Sequence, residues 1–326
     1  MAVDQLPSFR TSTRAPEETT AETTWTLALA GGDGVRLADY VERRFGQRIP
    51  KQYCALLGTR TMLEHTLDRT HQITPAARTI TVIGTQHLGV AMPQLAGKSD
   101  HVFRQPSTRD TGLALYVALA MIKRWAPNAL VTVTPTDHYV APAQAYVDQL
   151  KLAQNVAARL PNKVVILGAR PTEADSTLGY LSLGDKLTEL PEVRQLVRFT
   201  EKPDPATAET LVSSGALWNT MVCCGTVSAL WEMGRAADPR LLDILDSLVP
   251  LVGTPDEDDA LDYVYRAYLP VSFSRDILEE VPDRLCALEL SGVDWSDWGK
   301  PERIEQVLAT HRSRALLPVT TRMRAL

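Results

Sequence analysis

The 326 residues are 44% hydrophobic and 22% charged, values that exclude whole-chain disorder and allow about two domains, or one large one, with a core that needs no disulfide or metal staple. Thirty-four Lys and Arg against 39 Asp and Glu give a formal charge of −5, which argues against the broad basic face that a long nucleic acid requires. It leaves room for a small phosphorylated ligand, which needs only a few local cations.

Residues 1–23 hold Pro7, Pro16, seven Ser or Thr and six charges with no apolar run, the pattern of a mobile tail rather than a targeting signal. Thr24–Leu29 is apolar and rich in β-formers and stops at Gly31-Gly32, a buried strand feeding a glycine loop. Leu63–Gln72 has helical spacing. Arg78–Gly84 and Val102–Pro106 read as strands, and Thr111–Arg124 as a helix with Leu115, Leu119 and Ile122 on one side. Ala129–Thr134 is a fourth strand. Ala143–Leu160 is a helix started by Pro142, and Val164–Gly168 is a fifth strand. This alternation predicts a largely parallel sheet with helices on both faces.

The pattern then changes. Gly179–Leu183, Val193–Thr200, Leu217–Cys224 and Leu285–Leu290 read as strands with irregular connections, so the sheet is mixed, with an antiparallel insertion over about 179–225. Thr210–Trp231 passes 22 residues without a charge, long enough for a membrane span. Ser213, Ser214, Gly215, Asn219, Thr220, Gly225, Thr226 and Ser228 interrupt it, so a helix turn, a strand and another helix start explain it, and no membrane partner is expected. Pro250–Ala260 reads as an acidic loop and Pro301–Arg312 as a final helix, with Ile304, Val307 and Leu308 on one face. A basic tail follows over 313–326. The fold class is α/β: a Rossmann-like three-layer sandwich with a mixed, mostly parallel sheet, in one domain over 24–312. Cys54, Cys223, Cys224 and Cys286 form no CxxC pair. They read as apolar fillers in a reducing compartment, the cytoplasm, with Cys223 and Cys224 pointing to opposite faces of a strand.

Six short segments carry chemistry. In Leu29-Ala30-Gly31-Gly32-Asp33-Gly34-Val35-Arg36 the glycines let the backbone turn tightly and leave N–H groups open to an anion, and Arg36 adds a planar cation. It is not a Walker loop, and Leu37 stands where a dinucleotide fingerprint needs its third glycine. Lys51, in Ile49-Pro50-Lys51-Gln52-Tyr53, is close enough in sequence for it and Arg36 to converge on one polyphosphate. Asp137 lies beyond the carboxyl end of a strand, where ligands bind in open α/β sheets; it suits Mg²⁺, or a helix N-cap. His138 is given no catalytic role. In Arg198-Phe199-Thr200-Glu201-Lys202-Pro203, Glu201 can accept from sugar hydroxyls and Lys202 can pair with a sugar phosphate, although Glu-Lys pairs are common on surfaces. Asn219, on an apolar strand, must find polar partners. Asp297, between Trp295 and Trp298, is a second candidate metal carboxylate, in a segment that also reads as a loop with two packed tryptophans.

Taken in order, LAGGDGVR, PKQY, PTDH, GYL, FTEKP, LWN and DWSDWG resemble the sugar-1-phosphate nucleotidyltransferases, and most of all their mannose-1-phosphate guanylyltransferase branch. Gln105-Pro106-Ser107-Thr108-Arg109-Asp110-Thr111, Tyr268-Leu269-Pro270 and Phe273-Ser274-Arg275-Asp276 add to the resemblance, which runs from Trp25 to Leu308. It implies the nucleotide-diphospho-sugar transferase type of fold. Gly31, Gly32, Gly34 and Arg36 would hold a nucleoside triphosphate, GTP in this branch. Lys51 would sit near its α-phosphate, and Gln105 and Arg109 near base and ribose. Asp137 and Asp297 would bind Mg²⁺. Gly179, Glu201, Lys202 and Asn219 would line the pocket for a sugar 1-phosphate, mannose 1-phosphate in this branch. Arg36, Lys51, Asp137 and Lys202 are the candidate catalytic groups, and GDP-mannose and pyrophosphate the implied products; a homodimer is one assembly left open.

The chain departs from the family pattern at Val35, where Ser or Thr is usual, over Ala38–Ile49, at Asp110-Thr111-Gly112, and at Trp298. The cupin-like isomerase domain of bifunctional relatives is not found within these 326 residues, so isomerase activity is not implied. Two alternatives stay open: a pyrophosphorylase of another nucleotide and sugar pair, and a catalytically silent subunit that binds a nucleotide sugar.

Overall fold

The computed structural model describes residues 23–316. The tail expected over 1–23 lies outside them except for Thr23, and so does most of the expected basic tail over 313–326. β1 (Thr24–Ala30) leads into α1 (Ala38–Phe45) and α2 (Met62–Thr70). Then come β2 (Thr79–Gly84), α3 (Leu88–Leu95), β3 (His101–Gln105), α4 (Asp110–Trp125) and β4 (Leu130–Pro135). β5 (Tyr139–Ala141), α5 (Ala143–Arg159), β6 (Val164–Ala169), β7 (Gly179–Leu187), β8 (Leu190–Glu201), α6 (Pro205–Ser213) and β9 (Leu217–Thr226) form the middle. α7 (Val227–Ala237), α8 (Pro239–Leu248), α9 (Glu257–Ala267), β10 (Leu285–Glu289), β11 (Asp294–Ser296) and α10 (Pro301–Leu316) complete the described residues.

Nine strands make one sheet in the order β3-β2-β1-β4-β9-β6-β10-β8-β7. The pairings set β8 and β9 against the direction of the other seven, so the sheet is mixed and mostly parallel. Side chains alternate across it, as the strand period of two requires. Trp25, Leu27, Val131, Val133, Val164, Ile166 and Cys223 join α4, α7, α8 and α9 in one core layer. Val165, Leu167, Val222 and Cys224 face α5 on the other side, and Ala28 and Ala30 face α2 and α3. Cys223 and Cys224 thus fill opposite layers, and burial pushes both thiols up.

The antiparallel segment is woven into the sheet rather than set beside it. β9 lies between β4 and β6, and the β7–β8 hairpin forms one edge. One expectation needs correction. Pro250–Ala260 is not all loop: α9 begins at Glu257, because Glu257, Asp258 and Asp259 favour the positive end of a helix and Leu261, Val264 and Tyr265 then face the core. Ala38–Ile49, where the chain departs from the family pattern, holds α1; its Val41 and the preceding Leu37 pack with Trp298 and Ile304. β5 and β11, neither read from the sequence, pair antiparallel as a small second sheet that carries the Asp297 loop.

Candidate active site

β1 is buried along most of its length and releases the chain at Gly31 beside the ends of β2 and β3. A Cβ on Gly31 would stand 2.0 Å from Gln105 Nε2, so glycine lets the loop pass over that side chain. Gly34 has φ 64°, and a Cβ there would meet Pro50 Cα at 3.1 Å and Lys51 N at 3.2 Å. The loop is tied from behind. Gln52 Nε2 donates to the carbonyls of Ala30 (3.0 Å) and Gly32 (2.7 Å), and the Tyr53 hydroxyl donates to Ala30 (2.8 Å). Gln86 Nε2 donates to Asp33 Oδ1 at 2.7 Å, and His87 Nε2 lies 3.3 Å from the same oxygen. Val35 is 78% exposed, so the loop meets solvent at the position where the family pattern has a hydroxyl.

Two carboxylates meet at the next level. Asp137, past the end of β4, lies with Oδ2 3.1 Å from Lys51 Nζ. Lys51 is buried, and its ammonium also donates to the carbonyls of Asp297 and Trp298. It therefore pins the β4 end to the loop after β11. Asp297 receives Arg303 Nη1 on Oδ1 at 2.8 Å, while its Oδ2 stands 3.9 Å from Arg36 Nη2. A Cβ on Gly299 would fall 2.3 Å from Asp297 Oδ2 and 3.0 Å from Arg36 Nη1, so only glycine permits that approach. Trp298 stacks on Tyr139 with ring centroids 5.0 Å apart and holds the loop from below. Burial alone would push the Asp137 carboxyl up, but the charges of Lys51, His138 and Arg36 and the Lys51 hydrogen bond together hold it below its ordinary value. Burial and the nearby Lys51 lower the His138 imidazole more than Asp137 raises it. The His138 ring lies edge-on to Trp295.

β7, β8 and β9 supply the far wall. Gly179 pairs with Glu201, and a Cβ on Gly179 would lie 2.7 Å from Glu201 Oε2. Glu201 Oε1 is 2.9 Å from Lys202 Nζ. Asn219, buried at the start of β9, accepts the Met221 N–H on Oδ1 at 2.9 Å. These groups surround two adjoining cavities. The larger, about 670 Å³, is lined by Gly31, Gly32, Gly34, Arg36, Gln105 and a late segment with Ser272, Phe273 and Arg275. The smaller, about 140 Å³, is lined by Lys51, Gly179, Asn219, Trp295 and Asp297. Arg36, Asp137, Glu201, Lys202 and Met221 border both.

The fold thus gathers every candidate residue but one. Arg109 does not line either cavity; it precedes α4, and its carbonyl accepts the Val271 N–H at 3.1 Å. Lys51 faces inward and borders the smaller cavity alone, so its convergence with Arg36 occurs across the carboxylates and not at the glycine loop. Gln105 is buried with Oε1 lacking a hydrogen-bond partner at the larger cavity. Sequence reasoning missed Gln52, Met221 and Arg303. PKQY contained the first of these, but its role depends on two carbonyls that folding brings to it.

Cations border the site, Arg36 and Lys202 exposed and Lys51 buried, and the Asp137 and Asp297 carboxylates both border its smaller cavity. Among the described residues, no group of three or more His, Cys, Asp or Glu side chains could hold a metal, so no all-protein cage exists there. No helix among them is long and apolar enough to cross a membrane.

Residues 26–313 match the family model described as nucleotidyl transferase. The chain is 30% identical over 282 residues to the alginate biosynthesis protein AlgA of Pseudomonas fluorescens, covering 84% of this chain and 56% of that one. It is 25% identical over 282 residues to the mannose-1-phosphate guanylyltransferase of Escherichia coli, covering 84% and 59%. It spans about half the length of the curated relatives it matches. A solved structure from Thermus thermophilus, described as mannose-1-phosphate geranyltransferase, superposes with a TM-score of 0.76 at 27% identity, covering 88% of this chain and 79% of that one. A UDP-glucose pyrophosphorylase bound to UDP-glucose, at 14% identity and a TM-score of 0.52, shares the fold, covering 89% of this chain and 99% of that one.

Proposed function

The chain belongs to the nucleotidyl transferase family, and we propose that it joins a nucleoside triphosphate to a sugar 1-phosphate with release of pyrophosphate. The pair we propose is GTP and mannose 1-phosphate, giving GDP-mannose, as the name of the Escherichia coli relative suggests. The observation that carries this reading is the pair of adjoining cavities with a common wall of Arg36, Asp137 and Lys202. One opens under the glycine loop and the other under Asn219 and Glu201. That is the arrangement needed to bring two phosphorylated substrates end to end.

The sugar phosphate is already a nucleophile at pH 7, so no side chain has to be activated. One of its oxygens bonds to the α-phosphorus, the bond to the β-phosphate bridge breaks, and pyrophosphate leaves with its electron pair. The obstacle is repulsion between two polyanions, so the residues act by positioning and by neutralising charge. Arg36 meets the triphosphate and stabilises the departing pyrophosphate. Lys202 holds the sugar phosphate, and Glu201 and Asn219 take sugar hydroxyls. Lys51 fixes the spacing of the Asp137 and Asp297 segments. Those two carboxylates fit a magnesium ion: each borders the smaller cavity, and Mg²⁺ takes one or two carboxylates and leaves other positions to phosphate and water. When bound, such an ion supplies Lewis-acid neutralisation of the phosphate oxygens. Four buried, unpaired thiols are in keeping with a cytoplasmic setting for this chemistry.

The test is pyrophosphate release across GTP, ATP, CTP, UTP and dTTP, crossed with mannose, glucose, galactose and fucose 1-phosphates, with Mg²⁺ present. GTP with mannose 1-phosphate is expected to lead. Asp137→Asn is expected to lose at least about a hundredfold in rate, the usual cost of removing one electrostatic group of this kind. No turnover with any pair, or near-normal turnover by a folded Asp137→Asn protein, defeats the reading.

A further inference from the structure

Four non-glycine residues among those described have left-handed backbones: Asp110, Lys202, Met221 and Trp298. All four belong to the site. Three line its cavities, and the carbonyl of Trp298 accepts from Lys51. Such conformations are costly for side chains other than glycine, and they persist where the surroundings enforce them, often at functional positions. Asp110 and Met221 have no part in the chemistry described so far, and of the two only Met221 borders both cavities.

Its geometry is built by the sheet. Along the β6–β9 pairing, Ile166 faces Cys223 and Gly168 faces Asn219, so Thr220, Met221 and Val222 stand opposite Leu167 alone. The extra residues form a bulge, a device that re-aims a side chain off the regular alternation. Its pieces are fastened individually. Thr220 Oγ1 donates to the Leu167 carbonyl at 2.6 Å, the Val222 N–H reaches Thr220 Oγ1 at 3.3 Å, and the Met221 N–H is held by Asn219 Oδ1 at 2.9 Å. At the apex Met221 has φ 59°. Its side chain borders both cavities, and its sulfur accepts from Ser274 Oγ at 3.2 Å. The same bulge therefore presents Asn219 to the smaller cavity and Met221 to the boundary between the two.

We propose that Met221 is a specificity-determining residue, an apolar wall that limits the bulk of the sugar 1-phosphate accepted beside Asn219 and Glu201. This rests on the function proposed above. A thioether between charged pockets adds no charge to the phosphate chemistry. It takes up space at the place where the sugar ring must sit, against the carbon face of a simple hexose. A ring carrying a larger substituent, such as an N-acetyl group, meets it.

Met221→Gly and Met221→Ala test this with mannose, glucose and N-acetylglucosamine 1-phosphates, reading kcat/KM for each sugar, KM for the nucleotide and the thermal midpoint. Both variants are expected to gain at least tenfold for N-acetylglucosamine 1-phosphate relative to mannose 1-phosphate. The nucleotide KM should stay within about threefold, because Arg36 and the glycine loop are untouched. Met221→Gly should melt no lower than Met221→Ala, since glycine takes the left-handed backbone freely. An unchanged sugar preference in the folded variants overturns the assignment, as does a shift confined to the nucleotide KM. Loss of folding by both variants while Met221→Leu stays folded would also overturn it and leave Met221 a packing residue. Failure of the underlying reading is distinguishable, because the unmutated protein would then release no pyrophosphate from any pair.

Discussion

Replacing Gly299 by alanine adds one methyl group at the most crowded point of the carboxylate pair. The new Cβ would stand 2.3 Å from Asp297 Oδ2, 3.2 Å from Asp297 Cγ and 3.0 Å from Arg36 Nη1. The first distance is about 1 Å short of ordinary contact. Arg36 is exposed and can swing away. Asp297 is buried, and Arg303 holds its other oxygen at 2.8 Å, so the strain must move the carboxylate or the loop by a comparable amount. A displacement of about 1 Å in a site that works by positioning costs about a hundredfold in rate, or roughly 2.7 kcal/mol of transition-state stabilisation. Overpacking should cost stability as well, about 1–3 kcal/mol. Steady-state pyrophosphate release with a parallel thermal melt separates the two effects. Gly89→Ala is the control: Gly89 lies in α3 and a Cβ there meets nothing within 4 Å, so turnover should not change. If folded Gly299→Ala turned over within threefold of the unmutated protein, the placement of Asp297 would not matter to the reaction and the reasoning would fail.

Gln52→Ala releases the Ala30 and Gly32 carbonyls; it should cost about 1–3 kcal/mol of stability and raise the nucleotide KM more than the sugar KM, read from melts and initial rates. Asp175 is a pH sensor of stability: burial would raise its carboxyl, but bonds from Lys300 and Thr177 and the charge of Arg303 hold it at about 2. A lowered folded value gives stability that is complete well above the unfolded value of about 3.9 and is lost as pH falls toward 2, about 2 kcal/mol in all, and Asp175→Asn should flatten that acid limb of the melting profile. Arg303→Met should cost about 3–5 kcal/mol by leaving Asp175 and Asp297 without their shared partner; adding Asp175→Asn should recover part of it, and strict additivity in the double-mutant cycle would refute the coupling.

The alternation of strands and helices was legible because buried parallel strands are short apolar runs, and β1, β2, β4 and β6 fall within a residue or two of where the pattern puts them. The charged residues of the site were legible for a related reason. Arg36, Asp137 and Asp297 stand beside glycines or at strand ends, where few structural duties call for a charge. What escaped reading depends on distance across the fold. Arg303 looked like the polar face of a helix whose apolar side is Ile304, Val307 and Leu308. Its role comes from Asp175 and Asp297, which lie elsewhere in the chain. Met221 sits in a run of apolar residues that reads as an unbroken strand, and a bulge leaves no mark on such a run. Arg109 entered only through the resemblance, which put it near base and ribose; it precedes α4 and lines neither cavity.

The pairing of charges bears on how the proposed reaction would bring two polyanions together. In the structure three carboxylates of the cleft each have a cation: Lys51 for Asp137, Arg303 with Arg36 for Asp297, and Lys202 for Glu201. The cations differ in how firmly they are held. Lys51 is buried, the Arg303 side chain is largely covered, and both have several partners. Arg36 and Lys202 are more than half exposed, and each is paired with a single carboxylate among the described residues. In the function proposed above, an incoming phosphate would meet Arg36 and Lys202, whose charged ends face solvent while the carboxylates they pair with, Asp297 and Glu201, are largely covered. Lys51 and Arg303, with their several partners, join the Asp137 and Asp297 segments from behind. Gly179 and Gly299 lie against the carboxylates of Glu201 and Asp297, and a Cβ at either would crowd a carboxylate oxygen, at 2.7 and 2.3 Å.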